Sequence, residues 1–539
     1  MHSVKPSGQR LPILLRAGLC LALAAGWTGT LQAQDKFRSR NYRVRIAVAH
    51  QVQRLMLQPS GTYQVVDSEG RPLLQVNRGR QYFVQITQGQ PGGRTYRLVL
   101  HEMPPHQVNA AIERARQARQ TYKLPVKVLR IPARSREEER ILVTLGQYES
   151  AQAARSAVQG FPDEQIDYIY EERDRAEHGQ VRLLDREGVV LARDGRYLRM
   201  VPLDMAGDVL GVRSPNGNPG RIRRYRGEIE LTINEEGTLT AVNDLWVEYY
   251  LYSVVAGEIG GSAPIEALKA QAVAARSESV AKIERGIVSG SFFDFYDTAL
   301  AQIYRGIGDE TAKSRRAVDA TRGEILVWHG HAVDAVYSHS CGGVLSSSRQ
   351  IWDGINEGYA TSQFDRLDDD RTPQLTDWAH THPYTSKPIE ALCHPNQPGF
   401  PAYAKKYFRW RRTLSARKLT NIIDPLHGTG RVRNVLVEDR AASGRVRKLA
   451  IQGERRTVVI DRQLKIRKAL GGIYSTLFTF IKQKDPAGDL RELTIFGAGY
   501  GHGVGMCQMG AYMMGVRGYN YRQILAHYYN NVKMRRLYQ

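Results

Sequence analysis

The feature that most constrains how this chain folds is a proline-led run of small residues, Pro264-Ile-Glu-Ala-Leu-Lys-Ala-Gln-Ala-Val-Ala-Ala-Arg-Ser277. Proline is tolerated in a first helical turn because its missing amide proton has no intrahelical partner there. Ile265, Leu268, Ala272 and Ala275 fall along one face, and their small side chains let another backbone approach closely. The pattern predicts a buried helix. Just ahead of it, Leu251-Tyr-Ser-Val-Val-Ala-Gly-Glu-Ile-Gly-Gly-Ser-Ala-Pro264 carries one carboxylate, Glu258, through an apolar run into what reads as the start of a helix. Poor solvation disfavours the charged form of an acid so placed, which suits a proton donor; the alternative is a helix-start glutamate bonded to backbone amides.

The first residues predict export. Arg10 and Arg16 flank the apolar stretch Leu19-Cys-Leu-Ala-Leu-Ala-Ala25, and Leu31-Gln-Ala33 supplies small residues for cleavage. That order reads as a secretory signal peptide over 1–33. No later segment is apolar for long enough to cross a bilayer, so the expected location is periplasm, cell envelope or extracellular space, with no transmembrane anchor after cleavage. Cys341, Cys393 and Cys507 then remain, too few for a disulfide-built fold. The net charge of +22 favours an anionic environment. Without a reading motif, and outside the cytosol, nucleic acid is not the expected partner; an anionic wall polymer or phospholipid surface is.

The 539 residues allow more than one domain. Val44-Arg-Ile-Ala-Val48, Gly61-Thr-Tyr-Gln-Val-Val66 and Tyr82-Phe-Val-Gln-Ile86 alternate as strands, giving a beta-rich region over 34–104. An alpha/beta accessory region is expected at 105–217. Within it, Ile141 to Tyr148 followed by Ser150 to Val158 reads as strand, turn and Ala-rich helix. That short segment resembles the sporulation-related repeat that binds peptidoglycan glycan. A third part, 218–539, holds the buried helix and an acidic, then His- and Pro-rich insertion at 365–401. Asp244 and Glu248 read as solvated residues flanking a strand or turn, and 511–529 as a continuous helix.

Four ordered blocks resemble the stage II sporulation protein D family, which includes the LytB-type amidase enhancers. They are Val254-Val-Ala-Gly-Glu-Ile259 with Glu266 to Arg276, Tyr337-Ser-His-Ser-Cys-Gly-Gly343, Leu470-Gly-Gly-Ile-Tyr-Ser-Thr-Leu-Phe478, and Gly499-Tyr-Gly-His-Gly-Val-Gly-Met-Cys-Gln-Met-Gly-Ala511 running on to Tyr529. The resemblance implies a mixed α+β fold with a SpoIID-like core. It implies a lytic transglycosylase acting on peptidoglycan glycan stripped of stem peptides, in the characterised sporulation members' manner, with Glu258 as its single acid and base and 1,6-anhydro ends as product. The alternative function is a non-catalytic, wall-binding enhancer of an N-acetylmuramoyl-L-alanine amidase.

Two further sets of residues are singled out. Gly501, His502, Gly503 and Gln508 are the candidate glycan-binding residues; His502 either contacts sugar and tunes Glu258 or serves as a structural hydrogen-bonding group. Cys507 stands where the family resemblance leads one to expect serine. His339 and Cys341 occupy alternate positions, which an extended backbone sends to one side, and Cys393-His394 precede Pro395. Together they make a Cys2His2 set suited to structural zinc. His380 and His382 are rival ligands, and a Cys341-Cys393 disulfide is the metal-free alternative.

Overall fold

The computed structural model describes residues 42–538 apart from 88, 90–92, 104–107, 132–139, 159–160, 162–165, 167, 174–178, 215–220, 285–292, 298–301, 353–357, 369–371 and 388. The expected signal peptide and the expected boundary at 218 lie outside the described residues. Among the described residues no helix is long and apolar enough to cross a membrane.

Alternating apolar residues build two sheets first. A seven-stranded sheet runs Phe295–Tyr296, Arg43–Val52, Leu239–Trp246, Glu228–Ile233, Tyr197–Pro202, Tyr63–Val66, Pro72–Val76. Along Tyr197–Pro202 every second side chain is buried, the period-2 signature of a strand with one face on a core. A six-stranded sheet contributes Leu55, Leu57, Val84, Val181 and Leu183 to the same core. Arg43–Val52 pairs antiparallel with Leu239–Trp246, Ile46 opposite Asn243. Residues on either side of 218 therefore share one sheet.

Between the paired strands Tyr82–Thr87 and Gln180–Leu184 the chain makes an excursion with its own apolar cluster. Four antiparallel strands lie in the order Val126–Ile131, Arg140–Tyr148, Arg94–Met103, Tyr168–Arg173. The helices Val108–Tyr122 and Ala151–Val158 put Ala111, Ala118 and Ala154 against Leu98, Ile141, Val143 and Leu145. The strand and helix read from 141–158 are both present.

The predicted buried helix is Ile265–Glu284. Ala267, Leu268, Ala272 and Ala275 join the core of the first sheets, while Ala270, Val273 and Ala274 join a second core with Val336, Phe408, Met506 and Tyr528. With apolar residues on two faces, this helix links two cores. Its small residues do what the sequence promised: a Cβ on Gly515 would stand 2.8 Å from Pro264 Cβ, so the helix Gln508–Val516 rests almost directly on it. A third core lies under the sheets of 409–498.

Three expectations are corrected here. Glu258 sits at the end of the helix Val247–Ile259, with Gly260 as its C-cap at φ 90°, rather than at a helix start. Glu248 and Asp244 are buried, not solvated: Glu248 meets the fully buried Arg276 at 2.7 Å and Asp244 meets Arg43 at 2.6 Å. The region 511–529 is two helices, Gln508–Val516 and Tyr521–Tyr528. Gly518 at φ 86° ends the first, and Asn520 caps the second by accepting from Arg522 and Gln523 amides.

Candidate functional site

Glu258 is half-buried, with its carboxylate turned inward. Oε1 accepts the Ile303 N–H at 2.7 Å, and Gln508 hydrogen-bonds to the same carboxylate. Gln508 in turn donates to Gln271 at 3.2 Å. Burial pushes the Glu258 carboxyl up to about 7 against the pull of the Ile303 amide, and the nearby Glu278 charge adds to the rise while Gln508 and Lys282 oppose it. The position at a helix C-terminus works in the same direction, because the negative end of the helix dipole disfavours an anion. Around this carboxylate three buried polar atoms have no hydrogen-bond partner: Tyr337 OH, Gln271 Nε2 and His339 Nε2. Buried polar atoms are nearly always paired, so these three retain hydrogen-bonding capacity for a further polar partner.

The titration of Glu258 has a stability consequence. A carboxyl raised in the folded state favours folding while it is protonated; the contribution is complete below pH 4.5 and is lost as pH rises through about 7. Glu258→Gln stays neutral and keeps an acceptor for Ile303. The span from 4.5 to about 7 converts to roughly 3 kcal/mol of relative stabilisation of the variant at pH 8, with none below pH 4. Urea unfolding of both proteins at the two pH values measures this, and equal differences at both would show that the carboxyl is not perturbed.

A second cluster lies close by in the fold. Sγ of Cys341, Cys393 and Cys507 and a carboxylate oxygen of Asp365 all lie within 4.8 Å of one another, and all four residues are buried. Cys341 Sγ is 3.6 Å from Cys393 Sγ and donates to Asp365 Oδ2 at 3.1 Å. The three cysteines are free. Burial pushes Asp365 up, but hydrogen bonds and charge from His527, with Cys341 and Tyr528, outweigh it and hold the acid below the usual range. Among the thiols, Cys393 ionises most readily, because hydrogen bonds from Cys341 and Cys507 outweigh its burial. Two arginines lie against the cluster: Arg445 donates to the Cys341 carbonyl at 3.0 Å and Arg409 to the Gly342 carbonyl at 2.9 Å. A tetrahedral ion bonded to sulfur at about 2.3 Å sets its ligand atoms roughly 3.8 Å apart, and this donor set fits a metal ion.

The ligand set differs from the one read off the sequence. Cys341 and Cys393 come together, but His339 and His394 are not members; Asp365 and Cys507 take their places. The regular strand ends at Ser338 and the chain bends at His339, so alternation no longer governs where His339 and Cys341 point. The His339 ring packs 5.0 Å from Tyr407, while His394 Nδ1 accepts from the Asn396 amide at 3.2 Å. The rivals are elsewhere too: His380 contacts Asp377 at 2.7 Å, and His382 stacks on Trp378.

Of the candidate glycan-binding residues, Gln508 reaches Glu258. His502 lies with its ring 5.0 Å from Trp352, and its Nδ1 accepts the Val504 N–H at 3.1 Å. Gly501 and Gly503 are needed for close approach: a Cβ on Gly501 would stand 2.7 Å from Ser338 Cβ, and one on Gly503 would collide with the Arg445 guanidinium. Sequence reasoning missed Asp365, hidden in an acidic run, and it set Cys507 aside as a substituted serine.

Comparison with known proteins places this geometry. Residues 235–328 match the Stage II sporulation protein family, and 346–505 match a domain of unknown function. An uncharacterised protein of Brachyspira hyodysenteriae is 30% identical over 310 residues, covering 57% of this chain and 71% of its own length. The amidase enhancer of Bacillus subtilis is 27% identical over 300 residues, 52% of this chain and 39% of that protein. Stage II sporulation protein D of the same organism is 25% identical over 342 residues, 60% of this chain and 81% of its own length. The chain belongs to the stage II sporulation protein D/LytB amidase-enhancer family.

Within that family the expectation of a lytic transglycosylase is overturned. The named relatives are an amidase enhancer and two stage II sporulation proteins D, and none of those names carries a glycan-cleaving activity. An intrinsic enzyme activity, and the anhydro product with it, is therefore withdrawn in favour of the enhancer alternative.

Proposed function

We propose that this protein is a wall-binding enhancer of an N-acetylmuramoyl-L-alanine amidase, acting outside the cytosol on peptidoglycan. The observation that carries the reading is the 300-residue match to an amidase enhancer. The family model matches 235–328, a range that includes Glu258, and the basic excess of the chain suits an anionic wall. In this reading Glu258, Gln508 and the unpaired Tyr337 and His339 atoms bind saccharide, with Gly501, His502 and Gly503 shaping the adjoining loop. Region 218–539, on a core it shares with strands of 43–87 and 180–213, is proposed to carry the stimulating activity, and the excursion over 94–173 to be accessory to it.

We also propose zinc as the ion at Cys341, Asp365, Cys393 and Cys507. Thiolate-rich donors select it over hard cations. With all four positions supplied by protein it is a structural ion, fastening the insertion at 365–401 to the core. The burial of Arg409 and Arg445 beside it suits the excess negative charge of three thiolates and one carboxylate around a divalent ion.

The test is stem-peptide release from purified sacculi by a purified wall amidase, followed by mass spectrometry with and without this protein. Several-fold faster release, with none from this protein alone, is the expected result. An unchanged amidase rate would overturn the enhancer reading.

A further inference from the structure

The region 346–505 carries no functional assignment, yet it places aromatic rings beside the helix that ends at Glu258. Tyr407 lies 4.8 Å from Tyr500 and 5.0 Å from Tyr474 between ring centroids. His339 joins them at 5.0 Å from Tyr407 and 5.7 Å from Tyr500. Tyr403 completes the row at 6.1 Å from His339, and its hydroxyl donates to the Ile259 carbonyl at 3.4 Å, one residue beyond Glu258. Tyr403, Tyr407 and Tyr500 belong to none of the apolar cores among the described residues. Tyr403 is 52% exposed, and Tyr407 and Tyr500 are half-buried. Rings gathered outside a core need another reason to be together.

Cations supply the second half of the pattern. Lys406 Nζ stands 5.0 Å over the Tyr407 ring and the Arg412 guanidinium 5.6 Å over Tyr474. Both are exposed. Neither has a carboxylate partner among the described residues. They bracket the aromatic row. An aromatic face accepts the apolar side of a pyranose ring, and its polar edge and neighbours take the hydroxyls.

We propose that Tyr403, Tyr407 and Tyr500 form a stacking wall for a sugar ring, and that Lys406 and Arg412 read a carboxylate carried by that saccharide. The ligand is thus an anionic amino-sugar strand rather than a neutral one. This rests on the wall-binding reading above and assigns its saccharide recognition to the 346–505 region. The carboxylate has two chemical sources: the lactyl group of N-acetylmuramic acid freed of its peptide, or a uronic acid of an acidic wall polysaccharide.

Binding of the full chain is measured by calorimetry to three probes: peptide-free peptidoglycan strands, a polyuronate, and the neutral hexamer of N-acetylglucosamine. Tyr403→Ala is expected to weaken the preferred anionic probe about tenfold, the size of one lost stacking contact, while Tyr403→Phe binds as wild type does. Lys406→Ala with Arg412→Ala is expected to weaken that probe and flatten its salt dependence, leaving the weak binding of the neutral hexamer unchanged. Preference for peptide-free strands identifies the lactyl source and preference for polyuronate the other. All substituted residues are on the surface, and coincident thermal unfolding with wild type verifies folding. Equal binding of wild type and both sets of variants overturns the wall, as does a wild-type protein that binds the neutral hexamer as tightly as the anionic probes. Amidase stimulation is recorded on the same preparations: stimulation that survives with wall binding unaltered by the variants sinks only this inference, whereas binding without stimulation sinks only the enhancer reading.

Discussion

Glu248→Ala is expected to cost about 3–5 kcal/mol of stability, because it leaves the fully buried Arg276 without its counter-charge. The carboxylate is the hub of this part of the fold. It accepts from Arg276 Nε at 3.0 Å and Nη2 at 2.7 Å, from the Gly323 amide at 3.0 Å and from Tyr538 OH at 2.6 Å. The Arg276 Nη1 donates onward to the Glu324 carbonyl at 2.9 Å. The helix Val247–Ile259, the helix Ile265–Glu284 and the chain's last described residues are thereby tied at one point. Burial alone would push the Glu248 carboxyl up, but the Arg276 charge and hydrogen bond, with Tyr538 and Gly323, hold it below 4.5. A lowered carboxyl contributes stability that is present above its unfolded value and is lost as pH falls, so the variant's deficit should shrink in acid. Removing both charges as Glu248→Ala with Arg276→Met should recover much of the loss, since the penalty lies in the unpaired ion rather than in the pair. Denaturant midpoints for the single and double variants at pH 7 and pH 3.5 provide the measurement. A single variant within 1 kcal/mol of wild type at pH 7, allowing for solvent entry, would show that Arg276 finds another partner.

The contrast between Glu248 and Glu258 shows what the sequence makes legible. Both lie on one apolar helix, and the apolar run marked Glu258 as special while leaving Glu248 as a solvated neighbour. The difference is the partner: Arg276 stands 28 positions away, and no local periodicity announces that it will turn inward. Pro264 and the alanines after it predicted their helix well, because start signal and face are both local. Strands such as Val44–Val48 and Tyr82–Ile86 were legible for the same reason. The direction of Glu258 along its helix was not, because Gly260 and Gly261 at the end look like loop residues before a new helix as readily as a C-cap after an old one. The aromatic row was invisible because Tyr403, Tyr407 and Tyr500 gather only after a sheet of strands has folded between them: Arg409 pairs with Ala498, and Trp410 with Gly497. The cysteines illustrate the limit most clearly. Spacing suggested that His339 would join Cys341, but the strand ends at Ser338 and the chain bends at His339, and a strand-end cysteine 166 positions away supplies the third sulfur.

Substituting that third sulfur distinguishes the assembled site from the one read off the spacing. Protein purified without chelator is expected to hold about one zinc per chain, and Cys507→Ser to hold none, since a neutral hydroxyl is a poor replacement for a thiolate. His339→Ala and His394→Ala are expected to keep the metal, because neither ring belongs to the cluster. Loss of the ion should be felt well beyond the four ligands. Asp365 accepts from the Tyr528 hydroxyl at 3.0 Å, and its backbone amide donates to the Gly343 carbonyl; Leu392 N donates to the Asp365 carbonyl. An ion held there would bind the insertion to the helix Tyr521–Tyr528 and to the Cys341 turn at once. Structural zinc contributes on the order of 10 kcal/mol in small domains that fold around it, and even a fraction of that in a large core should appear as a clear fall in thermal midpoint on chelation. The same fall should be absent when Cys507→Ser is treated with chelator, because that variant has no ion to lose. Zinc retained by Cys507→Ser but lost by His339→Ala would reject the assembled site in favour of the histidine-containing set, and wild-type protein without metal would reject both.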